Sequence, residues 1–277
     1  MNDGQIIAKS RQMLELASER TLTLLTDFGD RDTYVGIMKG AIAKIAPRLK
    51  TIDLTHQIPP QNLLAARFAL ANAYPYFPSR TVHVAVVDPG VGSQRRGIAI
   101  ELNHGYLVCP DNGLCSGVLE LDTAIAAVEL TNTQYWLSTN PSYTFHGRDI
   151  FAPVGAHLAS GVTLENLGEA IDLESIVKLD LPSLEIDRDS ITGCIQYIDR
   201  FGNLITNIHK SVLKGKSWQI IVKDRAIDSG KTYSDVDLEQ AITLIGSHGW
   251  IEIAVNGGSA AAQLQLDYKD AVRVKLN

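Results

Sequence analysis

Seven consecutive residues, Thr81-Val82-His83-Val84-Ala85-Val86-Val87, are apolar at nearly every position, and the run stops at Asp88-Pro89-Gly90-Val91-Gly92. A strand with one wet face alternates polar and apolar residues. Near-continuous apolarity instead marks a strand covered on both faces, as in a parallel sheet flanked by helices. The neighbouring sequence supplies such helices. Leu22-Thr23-Leu24-Leu25-Thr26 is a second apolar run, ending at Asp27, and Thr51-Ile52-Asp53-Leu54 is a third strand candidate. Between them Val35, Met38, Ile42 and Ile45 recur at helical spacing until Pro47. Residues 63–74 are alanine-rich and read as helix. Strand–helix–strand–helix–strand order predicts an α/β layer. Residues 98–102 and 106–109, around Asn103-His104-Gly105, predict a hairpin, and residues 150–158 a further helix.

From about residue 175 the texture changes. Strand-like runs at 191–198, 218–222, 242–245, 251–255 and 272–276 are punctuated by Gly, Asp and Asn, and helical periods are weak. The expected fold class is therefore α/β: a sandwich-like N-terminal α/β domain with a mostly parallel sheet over 21–170, and a smaller, β-barrel-like domain over 171–277. The boundary region spans 165–185. Residues 1–20 form an N-terminal extension, in which Ile6, Met13, Leu14 and Leu16 suggest a short amphipathic helix or a loose segment. The early Asp3 and the lack of a long apolar core do not read as a secretory signal.

A chain of 277 residues with 45% hydrophobic residues can bury one large core or two modest ones. Its net charge of −6 and scattered Lys and Arg argue against an extended nucleic-acid surface. No apolar run approaches the roughly 20 residues that a spanning helix needs, so no membrane partner is expected. Cys109, Cys115 and Cys194 are an odd, sparse set without C-x-x-C, which favours a reducing, cytoplasmic compartment and no structural zinc. No H-x-x-H or H-E-x-x-H spacing supports a metal site. G-x-G-x-x-G after a strand and the Walker loop are absent too.

Charged and glycine residues gather where the apolar runs end. Asp27, Asp30 and Asp32 crowd one turn after the first strand. They are read either as partners of a ribose diol, as magnesium ligands, or as a solvated turn ahead of a helix. Asp27-Phe28-Gly29 has none of the companion motifs of a kinase. Asp88 ends the buried strand and Arg95 follows seven residues later, so Arg95 either holds an anionic or hydroxyl group or braces the turn through an Asp–Arg pair. His146, in Phe145-His146-Gly147-Arg148-Asp149, sits before a helix start whose positive potential disfavours imidazolium, and Gly147 leaves room beside the ring. The bland reading is an ordinary hydrogen-bonded histidine. The same caution covers His56 and His83, the latter a core histidine by pattern, and His104 is a turn residue. In Asp199-Arg200-Phe201-Gly202-Asn203, Asn203 offers the donor and acceptor that complement a purine edge, Phe201 stacks or packs, and Asp199 suits an ammonium. Gly246-Ser247-His248-Gly249 and Asn256-Gly257-Gly258-Ser259-Ala260-Ala261 are polar turns near strand ends, which ordinary turn chemistry also explains.

Taken in order, Thr-Asp-Phe-Gly, Asp-Pro-Gly-Val-Gly, Phe-His-Gly-Arg-Asp, Phe-Gly-Asn and Asn-Gly-Gly-Ser-Ala-Ala resemble the S-adenosyl-L-methionine (SAM) hydroxide adenosyltransferase family, over about residues 21–276. The family is related to fluorinating and chlorinating enzymes that use the same substrate. The resemblance implies catalytic roles for Asp88, Arg95 and His146, ribose binding by Asp27, methionine-amine contact by Asp199, adenine contact by Asn203, and a methionine-side contact by Ser247. It also implies a homotrimer with substrate between subunits, and no cofactor, SAM being the substrate. Where the halogenating relatives have arginine this chain has His248, and where they have Tyr-Ser it has His146-Gly147, which favours water as nucleophile. The expected reaction is hydrolysis of SAM to adenosine and L-methionine by water attacking ribose C5′. The alternatives are halide transfer to C5′, a non-catalytic nucleoside-binding protein and a metal hydrolase.

Overall fold

The computed structural model describes residues 20–213, 215–223 and 225–276. The N-terminal extension therefore lies, but for Arg20, outside the described residues. The chain divides into two compact units, Met1–Leu179 and Asp180–Asn277. The division falls nine residues beyond the expected 170/171 because the intervening segment bonds to the first unit. The Val177 amide donates to Asp111 Oδ1 at 2.9 Å, and the Leu179 amide to Ser116 Oγ at 2.8 Å.

The first unit runs β1 (Thr21–Thr26), α1 (Tyr34–Ile45), β2 (Lys50–Thr55), α2 (Leu63–Ala73), β3 (Thr81–Val86), β4 (Gly97–Leu102), β5 (Gly105–Pro110), α3 (Ser116–Leu119), β6 (Ala124–Glu129), α4 (Ala152–Ala159) and β7 (Glu169–Ala170). The sheet order is β2-β1-β3-β5-β4-β6-β7. β2, β1, β3 and β5 are mutually parallel, and β4 and β5 form the expected antiparallel hairpin. Every residue of β1 and of β3 is buried, as their unbroken apolarity demands.

Successive residues alternate between the two faces. Leu22, Leu24, Val82, Val84 and Val86 join Met38 and Ile42 of α1 and Val154 and Leu158 of α4 in one core. Thr23 and His83 take the other parity and are joined Oγ1 to Nδ1 at 2.8 Å. The His83 ring also lies 5.1 Å from that of Tyr74. Burial pushes its pKa down to about 4, so it is a neutral core histidine.

From β1 the chain crosses through α1 to β2 on one side, then through α2 back past β1 to β3. Strand order thus reverses at the β1/β3 pair, and a crevice opens outside their carboxyl ends, the usual ligand position of such sheets. Thr26 pairs with Val86, so Asp27 and Asp88 leave neighbouring strand ends. β6 was not expected. Its Ala-Ile-Ala-Ala-Val-Glu carries little strand signal, and pairing with β4 decides its conformation.

The second unit comprises β8 (Glu185–Ile186), β9 (Ser190–Ile198), β10 (Leu204–His209), β11 (Trp218–Val222), β12 (Arg225–Asp228), β13 (Ala241–Ile245), β14 (Trp250–Val255), α5 (Ala260–Leu264) and β15 (Ala271–Leu276). Neighbours in the order β12-β11-β15-β9-β10-β14-β13 are all antiparallel. A Ser229–Thr243 bridge draws the two edges together into a nearly closed barrel around Ile195, Leu204, Ile220, Ile253 and Val274. β10 is a strand that Thr206 and Asn207 hide from a reading of apolar periodicity. Both are buried. Asn207 accepts from the Cys194 amide at 2.8 Å and donates to the Pro182 carbonyl at 2.9 Å, so its polar atoms are satisfied inside. Among the described residues no helix is long and apolar enough to cross a membrane.

Candidate active site

Asp88, Arg95 and His146 form one connected chain of side chains. Arg95 Nε donates to Asp88 Oδ1 at 2.9 Å, and Nη2 donates to Asp88 Oδ2. The same Nη2 lies 2.7 Å from His146 Nδ1. A guanidinium has no acceptor, so Nδ1 must accept, and the imidazole is neutral with its proton on Nε2. Its pKa is lowered, first by burial and next by the Arg95 charge, against the opposing pull of Asp88 and Asp149. Arg95 and Asp88 are 12% and 5% exposed, and the guanidinium lies over the Phe151 ring at 5.2 Å. A fork bonded at two edges and stacked on a third has little freedom left. The Asp–Arg pair expected to brace the turn is therefore present.

Local backbone makes this arrangement. Gly92 has φ +76, and a Cβ there would lie 2.3 Å from the Tyr143 carbonyl oxygen. Close approach of these two loops brings Arg95 to the segment carrying His146. Gly92→Ala should therefore lower both melting temperature and activity, and unchanged values of both would show the approach to be dispensable. His146 directly precedes a wide π-helical turn, Gly147–Phe151, that runs into α4. Such turns are rare and recur at functional sites. Gly147 was expected to leave room beside the imidazole. A Cβ there would meet Met38 Sδ at 3.2 Å, Phe145 at 3.3 Å and Phe28 at 3.4 Å, so a side chain would press on these three neighbours.

A cleft of about 370 Å³ lies at the crevice of the first unit, lined by Asp27, Phe28, Tyr34, Gln61, Asp88 and His146 among others. Asp27 Oδ2 accepts the Gln61 amide at 2.8 Å. Asp30 and Asp32 are exposed and are not among the lining residues. No three His, Cys, Asp or Glu side chains among the described residues converge as a metal site would need, so the magnesium reading of this turn has no geometric support. Phe28, Tyr34 and Phe145 form an aromatic group with centroids 5.1–5.8 Å apart. Their shared wall was not read from the sequence, because positions 28, 34 and 145 meet only in the fold. Asp149 is another such residue. Buried and paired with Arg148, it accepts the Ser142 amide at 2.8 Å and ties down the loop before His146.

The second unit holds a separate cleft of about 730 Å³, lined by Asp199, Phe201, Asn203, Tyr233 and residues 255–259. Asp199 Oδ1 accepts the Phe201 and Asn203 amides at 2.8 and 2.9 Å, and its Oδ2 accepts Asn203 Nδ2 at 2.9 Å. One hydrogen of the Asn203 side-chain amide is thus already given to Asp199. Gly202, at φ +81, lets Ser259 pack where a Cβ would stand 2.0 Å from Oγ. Phe201 is 75% exposed, which suits stacking more than core packing. Ser247 is exposed in the turn between β13 and β14 and is not among the cleft's lining residues. His248 Nε2 lies 3.4 Å from buried Glu252, whose other oxygen accepts Tyr233 Oη at 2.8 Å. Burial, then Glu252, pushes the Tyr233 hydroxyl up to about 12. Glu252 and Tyr233 carried no signal in the sequence, since each sits in an ordinary turn or strand pattern.

Residues 22–168 match the family described as SAM hydroxide adenosyltransferase N-terminal domain, and residues 193–273 its C-terminal domain. The chain is similar to the protein named (R)-S-adenosyl-L-methionine hydrolase of Salinispora arenicola, at 39% identity over 94% of this chain and 99% of that one. It is similar to the protein of the same name from Thermus thermophilus at 37% identity, over 93% and 99%. The Fluorinase of Actinopolyspora mzabensis is 24% identical over 95% and 99%. A solved structure of an uncharacterized conserved protein from Thermotoga maritima superposes with a TM-score of 0.86 at 34% identity, covering 92% of this chain and all of that one.

Proposed function

We infer that this chain, which belongs to the SAM hydroxide adenosyltransferase family, is an enzyme that hydrolyses SAM to adenosine and L-methionine. Relatives at 37–39% identity carry the hydrolase name, and those named Fluorinase are more distant, at 24–26%. That name specifies the (R) sulfonium configuration, which we take as the proposed substrate here. Turnover of separated (R) and (S) sulfonium epimers tests this, and equal rates would remove it.

The observation that carries the mechanism is the Asp88–Arg95–His146 chain at the crevice. Water oxygen attacks C5′, the C5′–S electron pair moves to sulfur, and methionine leaves as a neutral thioether. One water proton must be taken up. The guanidinium cannot accept it. In the neutral imidazole Nδ1 is occupied by Arg95, and Nε2 already bears hydrogen and serves as a donor to the water oxygen. This leaves the Asp88 carboxylate, which keeps acceptor lone pairs beyond those used by Arg95. Arg95 supplies fixed positive charge beside the developing hydroxide. A positive sulfonium and a partly negative nucleophile lose charge together in the transition state, so a site that excludes bulk water favours the step.

Asp27 is the proposed ribose carboxylate, Asp199 the partner of the methionine ammonium, Asn203 the reader of the adenine edge, and Ser247 a methionine-side contact. We also propose cytoplasmic location, no cofactor, and a homotrimer with substrate sites at the subunit interfaces. The first is supported by three unpaired cysteines. Light scattering tests the last, and a monomer mass would remove it.

Incubation of SAM in oxygen-18 water tests the reaction itself. Label in the 5′ oxygen of adenosine is expected, and unlabelled adenosine would overturn attack at C5′. The same incubation with added chloride or fluoride yields no 5′-halo product if water is the nucleophile.

A further inference from the structure

The segment after β2 grips the turn after β1 through a residue that plays no part in the chemistry above. His56 is nearly enclosed, with its side chain 11% exposed. Its Nδ1 lies 2.9 Å from Oγ1 of Thr26, the fully buried last residue of β1. That oxygen also accepts the Phe28 amide at 3.2 Å. A hydroxyl oxygen has two lone pairs and one hydrogen, so beside the Phe28 amide it still bonds His56 Nδ1, as the donor when the ring hydrogen is on Nε2. The Asp53 carboxylate, which only accepts, faces Nε2 with Oδ1 at 3.1 Å, off the line of an ideal hydrogen bond, and so favours the ring hydrogen on Nε2. Asp53 Oδ2 is in turn held by Lys39 Nζ at 2.6 Å. The His56 backbone adds a second grip, its carbonyl accepting the Gly29 amide at 2.7 Å. Thr26, Phe28 and Gly29 are thus all tied, directly or through one atom, to His56. Asp27 is the residue between them.

We propose that His56 is a positioning residue for ribose recognition, setting the Thr26 hydroxyl that fixes the turn presenting Asp27. The inference rests on the reading of Asp27 as the ribose carboxylate. One carboxylate meets two neighbouring hydroxyls only over a narrow range of orientation, because hydrogen bonds weaken steeply off axis. A turn that rotates slightly loses one of the two contacts while the rest of the nucleoside still binds. Substitution of the imidazole leaves the backbone carbonyl of residue 56 in place, so the turn is loosened and not dismantled.

The test is calorimetric binding of adenosine and of 2′-deoxyadenosine to the full chain and to His56→Ala, Thr26→Val, Thr26→Ser and Asp27→Ala. The wild type is expected to prefer adenosine. His56→Ala and Thr26→Val each reduce that preference by about tenfold, the scale of one hydrogen bond to a charged group. A fifth variant, combining His56→Ala with Thr26→Val, does no worse than either single one, because both break the same link. Thr26→Ser, which keeps the hydroxyl, retains the preference. If Asp27→Ala loses the preference while His56→Ala and Thr26→Val keep it, the positioning role is overturned and the ribose reading stands. If Asp27→Ala keeps it, the ribose reading falls and the positioning role with it. A His56 of merely structural worth would lower the melting temperature and leave the ratio unmoved, which also overturns the proposal.

Discussion

Asp88→Ala is expected to lower kcat by about a thousandfold or more while the affinity for SAM changes only a few fold. Asp88 is the one member of the connected set with acceptor capacity left for a water proton, so its loss removes the base and the brace together. Arg95 would keep its contact with His146 but lose all its bonds to the carboxylate. The substrate's ribose, amine and adenine contacts are assigned to other residues, which is why binding is spared. Breaking one side of a charge pair this buried also costs about 3 kcal/mol of stability, so the variant is to be assayed below its own melting transition. Single-turnover kinetics with saturating SAM, beside calorimetric binding, separate the two effects. Turnover within tenfold of wild type in the folded variant would remove Asp88 from the mechanism.

Acidification is expected to abolish turnover, by about tenfold for each pH unit below the His146 pKa. That pKa lies below the ordinary imidazole value, chiefly through burial and then through the charge of Arg95. A proton on Nδ1 would face the Arg95 N–H, donor against donor, and would break the chain. The neutral ring is therefore the active form. Activity is present above the depressed pKa and is lost as pH falls through it. Folding linkage has the same sign: the unfolded chain takes up the proton first, so stability also declines as pH falls from the ordinary histidine value toward the folded one. Arg95→Met removes the second cause and should raise the pKa, moving the acid limb of the remaining activity to higher pH. Titration of the His146 ring by NMR in both proteins checks this directly. A wild-type pKa above the ordinary value, or a downward shift in Arg95→Met, would overturn the neutral-ring assignment.

Much of this protein is legible in its sequence for local reasons. Unbroken apolarity at 81–87 requires cover on both faces, and the helical spacing of Met38 and Ile42 supplies part of that cover. Asp27 and Asp88 stand out because a core strand cannot continue through them, so the ends of β1 and β3 were readable as places for chemistry. Asn207 and Thr206 show the opposite case. Their polarity hides β10, and bonds to residues 13 and 25 positions away satisfy Asn207 inside, while the Thr206 hydroxyl accepts the Ile208 amide. The sequence alone determined the buried strands β1 and β3, the helices α1 and α2, the position of the carboxylates at strand ends, and the family to which those motifs correspond. Tertiary structure alone decided that β1 lies beside β3, that Arg95 donates to His146 across 51 residues, and that the imidazole is held neutral. The physical reason is that side-chain periodicity is a property of neighbours in the chain, whereas strand order, burial and the donor facing a ring nitrogen are set by residues distant along it.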